Sequence, residues 1–320
     1  MIDIKETFLK LTKNRYPHGF EDDVIKLLPE FNFEKDQHGN YYIIVKRTDG
    51  EHSASMFACH LDTYSNIYDV SNDNGVNHVL EGDFIKTDGT SNLGADDKAG
   101  MVIMLNMISE NIPGLYYFFI GEEIGSIGSH NLSLEFSELV SNKKLPKINR
   151  CISFDIGDYD KVVTFQRKTR TCSDEFANSL ASKLNEYGFW YKIEDNGGRT
   201  DSYQFIDSIP ECSNISVGYF HHHTSYEIQD IEFLELLSLV VLKIDWNTLP
   251  TKRKVGGYSV TTKGYNRDDA YNREYNKYSN NTFNDIVKKE VVKLNDDEFD
   301  TWYNEQKNRN WKVDDKKLVY

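Results

Sequence analysis

A chain of 320 residues, 39% hydrophobic and 13% aromatic, holds enough apolar material for a sizeable core, so it is neither a minimal nor a disulfide-dependent scaffold. Its four cysteines (Cys59, Cys151, Cys172, Cys212) form no CxxC pair, which argues against a zinc ribbon or thioredoxin motif and leaves buried, reduced thiols as the expectation. The net charge of -14 is uneven, because residues 251–320 carry 15 Lys+Arg against 12 Asp+Glu and residues 1–250 therefore stand at -17, a balance that repels phosphate backbones and membrane surfaces and attracts divalent cations or cationic amines.

The opening stretch MIDIKETFLKLTKNRY places charges where a secretory leader has its apolar core, and no run approaches 18 apolar residues. A soluble, cytoplasmic protein with no membrane partner is expected. Helical spacing predicts helices over 3–13 and 21–29, then strands over 41–46 (YYIIVK) and 54–59 (ASMFAC). A helix over 98–110 and a strand over 115–120 (LYYFFI) follow, then strands over 150–154 (RCISF) and 161–166 (KVVTFQ). Ser173, with Asp174 and Glu175 in the first turn, opens a helix over 173–186, and Pro250 follows a last helix over 230–246. Strands alternating with helices predict an α/β fold. From about residue 250 the composition shifts to Asn, Tyr, Lys and Asp, which predicts a main domain over 1–249 and a linker with a small helical extension over 250–320. In that extension Phe283, Ile286, Val287, Val291 and Leu294 recur at helical spacing, and a second amphipathic stretch starts near Asp296.

The polar clusters fall directly after predicted strands: FACHLD, IGEEIG and SFDIGD. Open α/β sheets bind ligands outside the carboxyl ends of their strands, so these turns can face one crevice. His60 and Asp62 are two apart and share a face, where a carboxylate can orient a metal-bound imidazole; a strand-end histidine beside an exposed Asp is the plainer alternative. In LGADDKAG, Asp96 either caps a helix or bridges two cations. Glu122 and Glu123, emerging from a hydrophobic strand, are costly to bring together without a compensating cation, unless they form a solvated loop. Asp155 ends the strand CISF, with Asp158 and Asp160 as rivals and a turn-forming role as the modest alternative. At most one or two of His221, His222 and His223 can converge on such a site, and Asp201 in GGRTDSYQF most simply caps the helix that follows.

Taken in order, HLD, GADDKAG, GEE, SFD and HTSYE resemble the zinc exopeptidase group that includes the M28, M20 and M42 peptidase families. The likeness runs over about residues 15–247, beginning with PHGFED and DQHGN, and leaves out the tail. Each motif is short, but five in order at plausible spacing are specific. The resemblance implies a mixed, mostly parallel sheet with helices on both faces. It also implies two divalent metal ions, zinc in the first place and cobalt or manganese as substitutes. His60 and Asp155 would be terminal ligands of one ion, Glu123 and His223 of the other, and Asp96 the bridge between them. Glu122 would be the catalytic base and Asp62 the carboxylate that orients His60. His223 is chosen among the three histidines because the glutamate of HTSYE stands four residues after it. His60 to Asp96 spans 36 residues and Asp155 to His223 spans 68, gaps that do not easily hold the domain that M42-like and M20-like enzymes insert there. A single-domain, M28-like arrangement is therefore expected, and the dimerisation such an insert often mediates has no basis; oligomeric state stays open.

Three ligand carboxylates and one bridging hydroxide would balance two divalent cations, and imidazole with carboxylate donors suits zinc. The implied activity is that of an aminopeptidase acting on peptide or small amide substrates through a metal-activated water. A metal-dependent amidohydrolase or deacylase on N-acyl substrates, or an enzyme of the glutaminyl-cyclase kind, would differ mainly in substrate pocket and metal number. A non-catalytic binding module would usually have lost a ligand, whereas every position here keeps a chemically competent residue. Nucleic acid is not expected as a partner of the main domain.

Overall fold

The computed structural model describes residues 1–65 and 75–256. Its helices are α1 (Ile4–Leu11), α2 (Glu21–Lys26), α3 (Ala95–Ser109), α4 (Ile127–Ser141), α5 (Asp174–Asn185) and α6 (Ile231–Val240). The strands of the first half are β1 (Glu34–Lys35), β2 (Tyr41–Val45), β3 (Ser55–His60), β4 (His78–Glu81), β5 (Phe84–Thr87) and β6 (Gly114–Phe119). Those of the second half are β7 (Arg150–Ile156), β8 (Lys161–Val163), β9 (Phe165–Gln166), β10 (Thr169–Arg170), β11 (Lys192–Glu194), β12 (Glu211–Ser216), β13 (Tyr219–Phe220) and β14 (Ile228–Asp230).

The main sheet runs β1-β2-β6-β3-β7-β12-β8-β11. Its centre, β6-β3-β7-β12, is parallel, while β2 on one flank and β8 on the other join it antiparallel. β3 and β6 are buried at every position, as strands covered on both faces must be, which is why they read as unbroken apolar runs. Alternation along them divides the core. Phe57 and Cys59 of β3, with Tyr116 and Phe118 of β6, enter a layer shared with Phe8 of α1, Val102 of α3, Phe176 of α5 and Leu237 of α6. Met56, Ala58, Leu115 and Tyr117 enter the opposite layer with Leu132 and Phe136 of α4. Helices thus cover both faces of a mixed, largely parallel sheet, as expected.

This topology locates the functional end of the molecule. From β3 the chain crosses through α3 to β6 on one side, then returns through α4 to β7 on the other. The two crossovers lie on opposite faces, so a crevice opens at the carboxyl end of β3, the switch point where such sheets bind ligands.

A second, antiparallel sheet, β13-β14-β5-β4, packs beside that end. The predicted helix at 98–110 is the regular part of α3: Asp96 and Asp97 have non-helical backbone angles, and the peptide between them is cis. The run 161–166 divides into β8 and β9, and the predicted helix at 230–246 is helical over Ile231–Val240, with a short turn of helix at Trp246–Thr248. Just past residue 249, Arg253 is still part of the body, donating through Nη2 to the carbonyls of Ile206 at 2.7 Å and Ile209 at 2.8 Å. The helical stretches expected near Phe283–Leu294 and Asp296 lie outside the described residues. Among the described residues no helix is long and apolar enough to cross a membrane.

Candidate active site

Four segments meet over the switch point: the end of β3 with His60, the turn after β6 with Glu122 and Glu123, the end of β7 with Asp155, and the loop after β13 with the histidine run. Asp96, at the start of α3, stands in the middle. Its Oδ1 lies 3.0 Å from His60 Nε2, and its Oδ2 lies 3.1 Å from His223 Nε2. Asp155 Oδ1 is 3.9 Å from His60 Nε2, and Glu123 Oε1 is 3.0 Å from His223 Nε2. All five residues expected to share the site are therefore brought together. Two triplets have donor atoms within 4.8 Å of one another, His60 with Asp96 and Asp155, and Asp96 with His222 and His223. Asp96 is common to both. Glu123 belongs to neither triplet and joins through His223.

Asp62 is buried beneath these groups. Its carboxylate accepts from the backbone N–H of Glu122 at 3.0 Å and of Glu123 at 3.1 Å, which fastens the two-glutamate turn to the end of β3. His60 Nδ1 is nearer the Asp62 carbonyl oxygen, at 2.9 Å, than its carboxylate, at 3.5 Å. The orientation of His60 thus comes mainly from the backbone of Asp62. Burial opposes ionisation of Asp62, but His60 and the two backbone donors hold its carboxyl below the usual range.

The protonation pattern tests whether cations fit here. A carbonyl oxygen only accepts, so the contact with Asp62 puts a proton on His60 Nδ1. Its Nε2 then faces a carboxylate oxygen either as an imidazolium N–H or as a lone pair, and the second is tolerable only with a cation between them. His223 Nε2 also lies between two carboxylates. Against the effect of burial, Asp62 and Asp96 push His60 well above its ordinary pKa, and Asp96 and Glu123 push His223 up to about 10. Asp96 is held well below the carboxylate range, also against burial, by the two imidazoles. Burial, then the Asp97 and Asp96 carboxylates, push Asp155 well above it. Burial raises Glu122 to about 7, with Glu123 and Asp96 adding to it and His60 opposing, and burial followed by Asp96 raises Glu123. A pocket that drives His60 and His223 toward protonation together with Asp155, Glu122 and Glu123 is short of positive charge. Nitrogen and carboxylate oxygen donors in this arrangement fit divalent metal ions, which supply that charge without protons.

The surrounding residues fix the donors. Asp155 receives the Tyr219 hydroxyl on Oδ1 at 3.2 Å and the Thr200 hydroxyl on Oδ2, while Asn214 bonds to its backbone on both sides. Glu227 accepts from Gly94 N at 2.7 Å and Asp96 N at 3.0 Å, tying the histidine loop to the start of α3. Gly94 has φ +77, and a Cβ there would meet Thr63 at 3.2 Å, so this turn needs glycine. Buried Lys98 donates to the Leu61 carbonyl at 2.6 Å. The rivals point away: Asp158 pairs with Lys161 at 3.3 Å and Asp160 with Lys192 at 2.7 Å. Asp201 corrects the expectation of a cap, since Thr200 precedes the short helix and Asp201 is its buried first residue. Burial, then the nearby Glu122, push its carboxyl well above the usual range. Glu227 was visible in HTSYE, whereas nothing in the local sequence marks Thr200, Asn214 or Tyr219.

The model of peptidase family M28 matches residues 40–232. The uncharacterized protein YqjE of Bacillus subtilis is 42% identical over 101 residues, which span 29% of this chain and 25% of that protein. Among solved structures, aminopeptidase PepT of Bacillus cereus is similar with a TM-score of 0.57 at 16% identity, covering 75% of this chain and 96% of that one. A tripeptidase of Staphylococcus aureus gives 0.57 at 18% identity over 75% and 96%. The TET1 peptidase of Pyrococcus horikoshii gives 0.58 at 14% identity over 75% and 98%. At these identities the likeness to the solved structures is one of fold.

Proposed function

Because the chain belongs to peptidase family M28, and so is a peptide hydrolase, we propose that it is an aminopeptidase dependent on two zinc ions that share Asp96. The observation that carries this reading is a single carboxylate held 3.0 Å from one imidazole and 3.1 Å from another. His60, Asp155 and Asp96 would hold one ion, and Asp96, Glu123 and His223 the other; cobalt or manganese could replace zinc with the same donors. Bound there, divalent ions lower the pKa of a water and polarise a scissile carbonyl.

The chain's own groups do the rest. Glu122 is half-buried beside the donors, its backbone fastened to Asp62 and its Oε1 receiving the Ser126 hydroxyl at 3.1 Å. Beside the metal donors it can take the proton of the attacking water and return it to the leaving amine. Asp62 acts as a positioning residue for Glu122, Glu123 and His60. The acidic crevice favours a cationic amino terminus, and two neighbours in fold are named an aminopeptidase and a tripeptidase, which supports exopeptidase action. The four cysteines are buried and unpaired, in keeping with a reducing compartment such as the cytoplasm. Residues 1–249 would form the peptidase domain and 250–320 its extension.

The test compares aminoacyl p-nitroanilides with their N-acetylated counterparts, alongside elemental analysis. Free-amine substrates should be cleaved, about two equivalents of metal should be found, and a chelator should abolish a rate that zinc restores. Preference for the N-acetylated set would replace the aminopeptidase with a deacylase. Full activity in metal-free protein would end the metal reading.

A further inference from the structure

We infer that His222 is an additional donor to the cation shared by Asp96 and His223, an inference that rests on the two-metal reading above. The motif match selects one histidine of three, but the structure puts donor atoms of Asp96, His222 and His223 within 4.8 Å of one another. In an extended segment successive side chains point to opposite faces, so neighbours in sequence cannot both reach one ion. Here the backbone is not extended. His221 has φ +56 and His223 φ +64, left-handed conformations on either side of His222, and they turn both rings toward Asp96. The rings of His222 and His223 stand edge to face, 4.7 Å between centroids. Tyr219 packs edge-on against His222 at 5.6 Å, while its hydroxyl bonds to Asp155. One tyrosine thus steadies His222 and the opposite end of the donor array together.

The consequence lies in the make-up of the second position. Glu123 stands outside the Asp96–His222–His223 triplet and faces His223 Nε2 at 3.0 Å, so His222 would supply the third close donor there, matching the three of His60, Asp96 and Asp155.

The experiment titrates metal-free protein with zinc against a chromophoric chelator, and with cobalt followed by visible absorption, in the wild type, His222→Ala, His222→Gln and His223→Ala. The wild type should bind two equivalents in separable steps. Both His222 variants should bind one equivalent about 100-fold more weakly, with an altered cobalt spectrum for that step and an unchanged melting temperature of the metal-free form. Steps and spectra identical to the wild type in the His222 variants, with one step lost in His223→Ala, would overturn the role of His222 and leave the two-metal reading standing. No change in any variant would bring down both.

Discussion

The two ends of the central strands bury acid in opposite ways. At the amino end, Glu211 opens β12 and accepts four bonds, from Ser173 N at 2.7 Å, Ser173 Oγ at 3.0 Å, Lys252 N at 2.5 Å and Arg253 N at 2.9 Å. Its neighbour in register, Arg150, donates to the carbonyls of Trp246 at 2.8 Å and Leu249 at 2.9 Å. These partners are built into the chain. At the carboxyl end, Asp96, Glu123 and Asp155 crowd around two imidazoles whose protons cannot neutralise them all. The buried acid of the amino end is bonded from within, whereas the cluster at the carboxyl end holds more acid than its imidazoles can neutralise.

The largest break in this contrast should come from Glu122→Gln. The amide keeps the shape and can still accept from Ser126, but it cannot take a proton. Turnover of an aminoacyl p-nitroanilide should fall about 10²- to 10⁴-fold, with metal content and melting temperature unchanged. A wild-type rate would remove Glu122 as the base. Glu211→Ala should do the reverse, because it strands four donors at a buried place. A loss of about 3 kcal/mol in denaturant unfolding is expected, with kcat/KM per folded molecule intact. If Glu211→Ala changed metal content instead, the two ends would not be independent.

The same contrast explains what was legible in the sequence. β3, β6 and β7 are legible because buried central strands are continuous apolar runs, and the motifs at their ends are legible with them. β12 is not, although it is central and wholly buried, because ECSNIS looks polar. Its side chains spend their polarity on neighbouring backbone: Ser213 Oγ donates to the Val163 carbonyl at 2.8 Å, Ser216 Oγ to Gly157 at 3.1 Å, and Asn214 to Asp155. α4 escaped because Ser126, before its first turn, makes no side-chain cap and because Ile127 and Leu134 are exposed, which blurs its apolar face. At the site, the ligand candidates carried local signatures. Thr200 and Tyr219 did not, since their nearness to Asp155 arises only when distant strands pair.

Glu227 lies between the two cases, a buried acid at the functional end that is satisfied from within. Glu227→Gln keeps one carbonyl acceptor for either Gly94 N or Asp96 N and loses the other, so the start of α3 should loosen without unfolding. Metal affinity should fall about 10-fold, close to 1.4 kcal/mol, and kcat at saturating zinc should stay within a few-fold of the wild type. Unaltered zinc titration would mean that the Asp96 turn holds its shape without this contact.

The smallest effect belongs to Ser173, which does two jobs at the stable end. As the residue before α5 its Oγ accepts from Phe176 N at 3.2 Å, and its hydroxyl proton goes to Glu211. Ser173→Ala loses both bonds, and Glu211 keeps its three backbone donors. The cost should be about 1 kcal/mol, seen as a melting temperature lower by about 2–4 °C with activity and metal content unaffected. A drop as large as that of Glu211→Ala would mean that the hydroxyl, rather than the set of backbone donors, is what makes the amino end self-sufficient.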